Sequence, residues 1–165
     1  MISIWLTPAK EDSAYLQEIV NELASEYQAP VFSPHCTLYS PTDLEAHELD
    51  KILEKAGEKF GSLYVTMDKL DHTTNIWKTV FIELEKSLEL SNLQHSLVSL
   101  IPDPKPYEFL PHISLIYKKM TVEQQEQIIR NLAVRNSYKI DRITAMKTGP
   151  DVKHWEKIAE VRFHA

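Results

Sequence analysis

The chain has 165 residues, of which 43% are hydrophobic and 25% charged; this composition is that of a globular domain and excludes a disordered protein. Its 18 basic and 24 acidic residues give a net charge of −6. Proteins that bind nucleic acid through its phosphates carry the opposite, positive charge. Cys36 is the single cysteine, which excludes an internal disulfide and a cysteine zinc cluster. The length predicts a single domain over residues 1–165.

Neither a membrane span nor a signal peptide is expected from the sequence. No apolar segment approaches the ~18 residues that a transmembrane helix requires. The apolar N-terminus is short and lacks a basic leader. We therefore expect a cytoplasmic protein that makes no membrane contact.

The first half of the chain predicts two helices between three strands. Thr42 and Glu45 have the spacing of a capping box, which predicts that a helix begins at Thr42. The predicted elements are a strand at 2–7, a helix at 12–27, a strand at 35–40, a helix ending at Gly61 and a strand at 63–70, assigned from hydrophobic periodicity.

The second half repeats this order. Thr121 and Gln124 form another capping box. The predicted elements are a strand at 77–84, a helix at 88–100, a proline-rich loop at 102–106, a strand around 112, a helix at 121–132 and strands at 138–146 and 155–163. One near-duplication of this length predicts a two-lobed domain with pseudo-twofold symmetry.

Two matching segments, residues 34–38 (PHCTL) and 111–115 (PHISL), occupy equivalent places in the two halves. Side chains alternate between the faces of a strand, so each histidine shares a face with the hydroxyl residue two positions later. A lone histidine in a strand is usually structural, but two in matching contexts indicate function. A pseudo-dyad would place them on opposite walls of one cleft. The four candidate residues are His35, Thr37, His112 and Ser114.

This arrangement suits in-line displacement at phosphorus, in which one oxygen enters as another leaves. Histidine serves as base or acid near neutral pH, and Thr37 and Ser114 can donate hydrogen bonds to the non-bridging phosphate oxygens. No metal ion is needed, and no third ligand at metal-binding spacing accompanies the histidines. Ser114 also lacks the nucleophile-elbow sequence of a serine hydrolase.

The paired His-x-Thr-Leu and His-x-Ser-Leu motifs resemble those of the two-histidine phosphoesterase superfamily, which includes 2′-5′ RNA ligases and cyclic phosphodiesterases. Within it, the chain looks most similar to the cyclic phosphodiesterases of plants and yeast, through segments 2–6, 111–117, 147–148 and 155–159. The resemblance implies an α+β fold with two pseudo-symmetric lobes. Each lobe would be an antiparallel sheet with helices packed outside, and the active-site cleft would lie between them.

The resemblance also implies the chemistry. His112 would activate water, His35 would protonate the departing ribose oxygen, and Thr37 and Ser114 would hold the phosphate; symmetry alone does not assign the acid and the base. The expected reaction is metal-independent hydrolysis of a 2′,3′-cyclic nucleotide to the 2′-phosphate, or of ADP-ribose 1″,2″-cyclic phosphate to the 1″-phosphate. We expect no cofactor, no extended nucleic acid partner and a monomer that acts on a small cyclic phosphate.

Two alternatives remain open at this stage. A 2′-5′ RNA ligase or RNA end-processing phosphodiesterase would share both motifs, but such an enzyme should present a basic path from its cleft. A non-catalytic nucleotide-binding domain would keep the cleft, although recognition alone does not need two proton carriers.

Several further side chains are candidates for contact with substrate. Tyr117 matches a tyrosine that lines the site in cyclic phosphodiesterases, but strand alternation directs it away from His112. Trp77 and Tyr107 rank first among the aromatic residues that could stack on a nucleobase, ahead of Phe109 and Trp155.

The remaining candidates are expected to be incidental. Lys78, Lys118 and Lys119 could add positive potential to the site, but lysines beside strands are usually solvated. Cys36 alternates away from His35 and is expected to be a buried thiol rather than a nucleophile.

Overall fold

Strands and helices follow one another along the chain in the order that the sequence predicts. The computed structural model describes residues 1–164. Its elements are β1 (Ile2–Pro8), α1 (Lys10–Tyr27), β2 (Cys36–Thr42), α2 (Ala46–Lys59), β3 (Leu63–His72), β4 (Val80–Leu84), α3 (Leu88–Leu100), β5 (His112–Ile116), α4 (Val122–Asn131), β6 (Ser137–Lys147) and β7 (Glu156–Arg162).

The seven strands of residues 1–164 form one antiparallel sheet in the order β2-β1-β6-β3-β4-β5, with β7 paired to β6 beside β3. This order is symmetric about the boundary between β6 and β3, so that β1 corresponds to β4 and β2 to β5. The fold is therefore α+β with two similar lobes, as the sequence predicts. The halves of the chain are not the lobes, however, because β6 joins β1 and β2 whereas β3 joins β4 and β5.

The hydrophobic core lies on the face of the sheet that the helices cover. Ile4 and Leu6 of β1, and Ile113 and Leu115 of β5, are fully buried in that core. The alternate side chains of the same strands lie on the opposite face. That second face carries the polar and aromatic residues of the cleft described below.

The predicted starts of one strand and one helix are wrong. The strand expected from residue 77 begins only at Val80, because Ile76–Lys78 form a 3-10 helical turn. Thr42 does not cap α2, because β2 continues to Thr42, which pairs with Ile2 of β1. Glu45 takes the N-cap position and forms a reciprocal capping box with Glu48. The other capping box is confirmed, since the Thr121 hydroxyl accepts from the Gln124 backbone N–H at the start of α4.

Within residues 1–164, no helix combines the length and the apolar character needed to cross a membrane.

Candidate active site

Both motif histidines have the same local geometry. His35 immediately precedes β2 and His112 begins β5. Nδ1 of His35 lies 2.8 Å from the Ser33 carbonyl oxygen, and Nδ1 of His112 lies 2.8 Å from the Leu110 carbonyl oxygen. A carbonyl only accepts, so Nδ1 must carry the hydrogen in each ring. Nε2 is therefore the nitrogen that each histidine has available for proton transfer.

The two motifs open onto one cleft with a volume of about 500 Å³. Its walls include all four predicted residues, namely His35, Thr37, His112 and Ser114. The structure thus brings together two side-chain pairs that are 77 positions apart in the sequence. The alternation argument is also correct, because Cys36 is fully buried on the other face of β2.

The cleft lowers the pKa of both histidines, but unequally. Burial lowers the pKa of His35 from 6.5 to about 4, with a smaller contribution in the same direction from His112; the Ser33 carbonyl opposes the shift. Burial also lowers the pKa of His112 below 6.5, assisted by the Lys78 ammonium and opposed by the Leu110 carbonyl. Both rings are therefore neutral in the empty cleft at pH 7.

The two motif hydroxyls have different surroundings. Thr37 is half-buried in the cleft wall. Ser114 is only 4% exposed, and its Oγ donates to the Trp77 carbonyl oxygen at 2.7 Å. A serine hydroxyl has a single proton to donate, so Ser114 is already engaged when the cleft is empty.

Aromatic side chains form much of the cleft. All three tryptophans of the chain, Trp5, Trp77 and Trp155, line it together with Tyr107 and Tyr117. The Trp77 ring lies 5.0 Å from that of Tyr117 and 5.8 Å from that of Trp155, measured between ring centroids.

Tyr117 reaches the cleft despite the alternation argument against it. Strand β5 ends at Ile116, so Tyr117 is not bound by the alternation that governs His112 and Ser114. Its ring stacks on Phe32 with centroids 3.8 Å apart and is only 5% exposed. By contrast Phe109, considered above as a stacking residue, is buried in the main core.

Only one of the three candidate lysines borders the cleft. Lys78 lines it, with its ammonium 4.6 Å from the centroid of the Phe81 ring. The ammonium of Lys118 instead donates to the Tyr27 carbonyl, and Lys119 is exposed to solvent. Burial raises the pKa of the Cys36 thiol to about 12, so Cys36 is not a thiolate nucleophile at neutral pH.

Sequence reasoning missed the role of β1 in the site. Trp5 lies flat against His35, with ring centroids 3.5 Å apart and an interplanar angle of 9°. Ser3 lines the same cleft. A signal was present, because Ser3, Trp5 and Thr7 alternate with the apolar core residues of this strand; the continuous apolar appearance of the segment concealed it.

A second groove adjoins His112 and is lined by residues of β3, β4 and β5. It shares His112 and Lys78 with the cleft. Its other charged residues are mostly acidic: Asp68, Asp71, Glu83 and Glu85, with Lys86. Nowhere in residues 1–164 do three or more His, Cys, Asp or Glu side chains gather as a metal ion would require; metal independence itself stays a prediction.

Comparison with known proteins identifies the class to which this fold and cleft belong. A family model described as "Cyclic phosphodiesterase-like protein" matches residues 1–163. A cyclic phosphodiesterase of Arabidopsis thaliana is 24% identical over 166 aligned positions, which cover 95% of this chain and 92% of the relative.

Solved structures show the same fold. Escherichia coli LigT complexed with 3′-AMP superposes with a TM-score of 0.65 at 14% identity, covering 99% of this chain and 98% of LigT. The protein TT0787 of Thermus thermophilus gives a TM-score of 0.64 at 14% identity, covering 98% of this chain and 97% of that protein.

The chain therefore belongs to the cyclic phosphodiesterase-like family, within the two-histidine phosphoesterase superfamily. The resemblance noted from the motifs is confirmed. The protein is a phosphodiesterase, and its general reaction is phosphoester hydrolysis.

Proposed function

We propose that the protein hydrolyses nucleoside cyclic phosphates, either a 2′,3′-cyclic nucleotide or ADP-ribose 1″,2″-cyclic phosphate, to the monophosphate ester without a metal ion. One observation carries this proposal. His35 and His112 each engage Nδ1 with a backbone carbonyl at 2.8 Å while lining one cleft. Two imidazoles held in the same tautomer on one cleft are suited to remove one proton and supply another.

In the proposed mechanism, Nε2 of His112 accepts a proton from the attacking water and Nε2 of His35 protonates the departing ribose oxygen. The empty cleft holds the pKa of His35 at about 4, which favours the neutral ring. A cyclic phosphate brings one negative charge into the cleft, and a nearby opposite charge favours the imidazolium. Substrate binding thus supplies the condition under which His35 can act as an acid.

The remaining cleft residues would hold the two ends of the substrate. Thr37 donates a hydrogen bond to a phosphate oxygen, and Ser114 does so after its hydroxyl turns away from the Trp77 carbonyl. Stacking against Trp77 holds the nucleobase, while Tyr107 and Tyr117 complete the wall around the sugar and phosphate. The aromatic lining supports this assignment, since base stacking on aromatic rings is favourable for every base.

Charge supports a small substrate rather than a long RNA. The groove that continues from His112 is lined by Asp68, Asp71, Glu83 and Glu85, and like charges repel a phosphodiester chain. LigT, which shares the fold, was crystallised with the mononucleotide 3′-AMP. The cytoplasmic location and the monomeric state expected from the sequence stay predictions.

Hydrolysis assays on a substrate panel test the proposal. The panel contains 2′,3′-cyclic nucleotides, ADP-ribose 1″,2″-cyclic phosphate and 2′-5′-linked dinucleotides, assayed with excess chelator and analysed for the position of the product phosphate. We expect cyclic phosphates to be opened to the 2′- or 1″-phosphate at an unchanged rate in chelator. Preferential cleavage of the linked dinucleotides, or loss of activity in chelator, would contradict the proposal.

A further inference from the structure

The loop that carries Trp77 is held by a residue remote from the cleft. Residues 73–79 connect β3 to β4, whose last ladder pair is His72 with Val80. Gln125 of α4 is only 3% exposed. Its Nε2 donates to the Thr73 carbonyl at 2.8 Å and to the Thr79 carbonyl at 3.0 Å.

These two contacts close the loop at both ends. A side-chain amide nitrogen has two hydrogens, and both point to carbonyls that can only accept. The pair of carbonyls therefore fixes which end of the Gln125 amide faces the loop, and one side chain satisfies two backbone acceptors. Leaving such buried acceptors without a donor is costly.

Other bonds stiffen the loop between these ends. The Thr73 hydroxyl donates to the Lys78 carbonyl at 2.6 Å, and the Thr79 hydroxyl donates to the Ile76 carbonyl at 2.8 Å. The Trp77 carbonyl itself accepts from Ser114. If Ser114 turns to a bound phosphate, the loop loses that central bond and depends more heavily on Gln125.

We propose that Gln125 is a positioning residue that sets the selectivity of the enzyme for base-containing substrates, by clamping the 73–79 loop so that Trp77 faces the nucleobase. The inference rests on the proposed function, specifically on the stacking role of Trp77. It adds a residue of α4 that does not line the cleft. Gln125 touches neither phosphate nor base and acts only through the loop.

The test compares kcat/KM for adenosine 2′,3′-cyclic phosphate with kcat/KM for ribose 2,3-cyclic phosphate, which lacks the base. We expect Trp77→Ala to lower this ratio by roughly five-fold or more, given that stacking contributes ~1–3 kcal/mol per base. Gln125→Met, which keeps the length but removes both donors, should lower the ratio several-fold. Combining it with Trp77→Ala should lower the ratio no further than Trp77→Ala alone.

Gln94→Met is the matched control. Gln94 is another buried glutamine, 5% exposed on α3, whose Nε2 donates at 3.4 Å to the Leu38 carbonyl of β2 rather than to the Trp77 loop. Its replacement should leave the ratio unchanged. Thermal unfolding and circular dichroism verify that each variant is folded. If Gln125→Met does not fold, Thr73→Val, which removes an internal bond of the same loop, takes its place and should lower the ratio as well.

The inference is overturned if Gln125→Met, or its replacement, slows both substrates equally, or if it lowers the ratio in the absence of the Trp77 ring. It also falls if Trp77→Ala leaves the ratio unchanged. Failure of the proposed function looks different, because the wild-type protein would then hydrolyse neither of these substrates nor ADP-ribose 1″,2″-cyclic phosphate.

Discussion

The two histidine motifs are built on the same frame but have different neighbours. In the lobe formed by β1, β2 and β6, Trp5 pairs with Thr37 across the ladder. In the lobe formed by β3, β4 and β5, Phe81 pairs with Ser114 at the equivalent place. Trp5 lies parallel to His35 at a centroid distance of 3.5 Å. Phe81 instead meets His112 edge-on, at 5.4 Å and 72°.

This difference shows how a pseudo-symmetric fold gives two equivalent histidines unlike environments. The shared frame gives both imidazoles the same tautomer and directs them to one cleft. The neighbours then separate them: His35 is buried to 8% exposure with a pKa of about 4, whereas His112 is half-buried beside Lys78. Symmetry provides the geometry, and unequal burial provides the distinction between the two groups.

Removing either imidazole should have the largest effect. Each of His35→Ala and His112→Ala should lower kcat on a 2′,3′-cyclic nucleotide by about 10²–10⁴-fold, the usual contribution of a general acid or base. Melting temperatures should show that both variants stay folded. His154→Ala is the control, because this side chain is 83% exposed and outside the cleft. Activity within about ten-fold of wild type in either cleft variant would refute the pairing.

The pH profile should be the next most sensitive test. The proposed mechanism requires one protonated and one neutral imidazole, and in the free enzyme both pKa values are lowered from 6.5, that of His35 to about 4. The singly protonated pair is therefore most populated at acidic pH, and its population declines as the pH rises above both pKa values. We expect kcat/KM to fall about ten-fold per pH unit from about 6.5 to about 8.5. A rise through neutral pH would be incompatible with this scheme.

Exchange of the ring that covers each histidine should separate the two motifs further. Trp5→Leu exposes one face of His35 to water, so its pKa should rise from about 4 toward 6.5. Phe81→Leu should move the pKa of His112 less, because that ring is not stacked. Titration of the imidazole NMR signals measures both shifts. Trp5 is only 4% exposed, so the variant should also lose stability, by less than the ~3–5 kcal/mol that a Trp→Ala change costs in a core. Equal pKa shifts of His35 and His112 would contradict the proposed effect of the stacked Trp5 ring.

The smallest predicted effect concerns Lys78. Lys78→Met removes a positive charge that disfavours the imidazolium of His112, so the pKa of His112 should rise slightly. The same change removes positive potential near the phosphate, and KM should increase by a few-fold. NMR titration and steady-state kinetics give the two quantities. A lower pKa for His112 in the variant would show that Lys78 does not act through its charge.

Local patterns in the sequence predicted much of the fold. Hydrophobic periodicity gave the order of strands and helices, because each element buries one face. The error at Thr42 arose because a local signal and a distant contact favoured different structures. The capping-box spacing involves only four adjacent residues, whereas the pairing of Thr42 with Ile2 depends on the whole sheet. No local sequence pattern indicates either that β6, from the second half of the chain, joins the lobe of β1 and β2, or that β3, from the first half, joins the lobe of β4 and β5.

The residues of the site show the same difference between local sequence signals and distant contacts. His35 and His112 were predictable because the chemistry and its repeat are visible in two short segments. Phe109 was considered on composition and lies in the core, and Tyr117 was disfavoured by an alternation that stops one residue before it. In the sequence Gln125 is an ordinary polar position on a helix. The role proposed for it depends on two carbonyls that lie 52 and 46 positions away along the chain.

Each lobe takes one strand from the other half of the chain: β6 joins β1 and β2, and β3 joins β4 and β5. We therefore expect the two halves of the chain to depend on each other for folding. Neither half of the chain contains all three strands of one lobe, because the neighbour of β1 is β6 and the neighbour of β4 is β3. The β1–β6 ladder pairs Ile2 with Lys147, nearly the full length of the chain apart, and contacts of such sequence separation form slowly. A fragment ending near residue 75 should therefore stay largely unfolded alone and gain structure when residues 76–165 are added in trans. Because one sheet spans both lobes, we expect the whole chain to unfold in a single cooperative transition rather than in two.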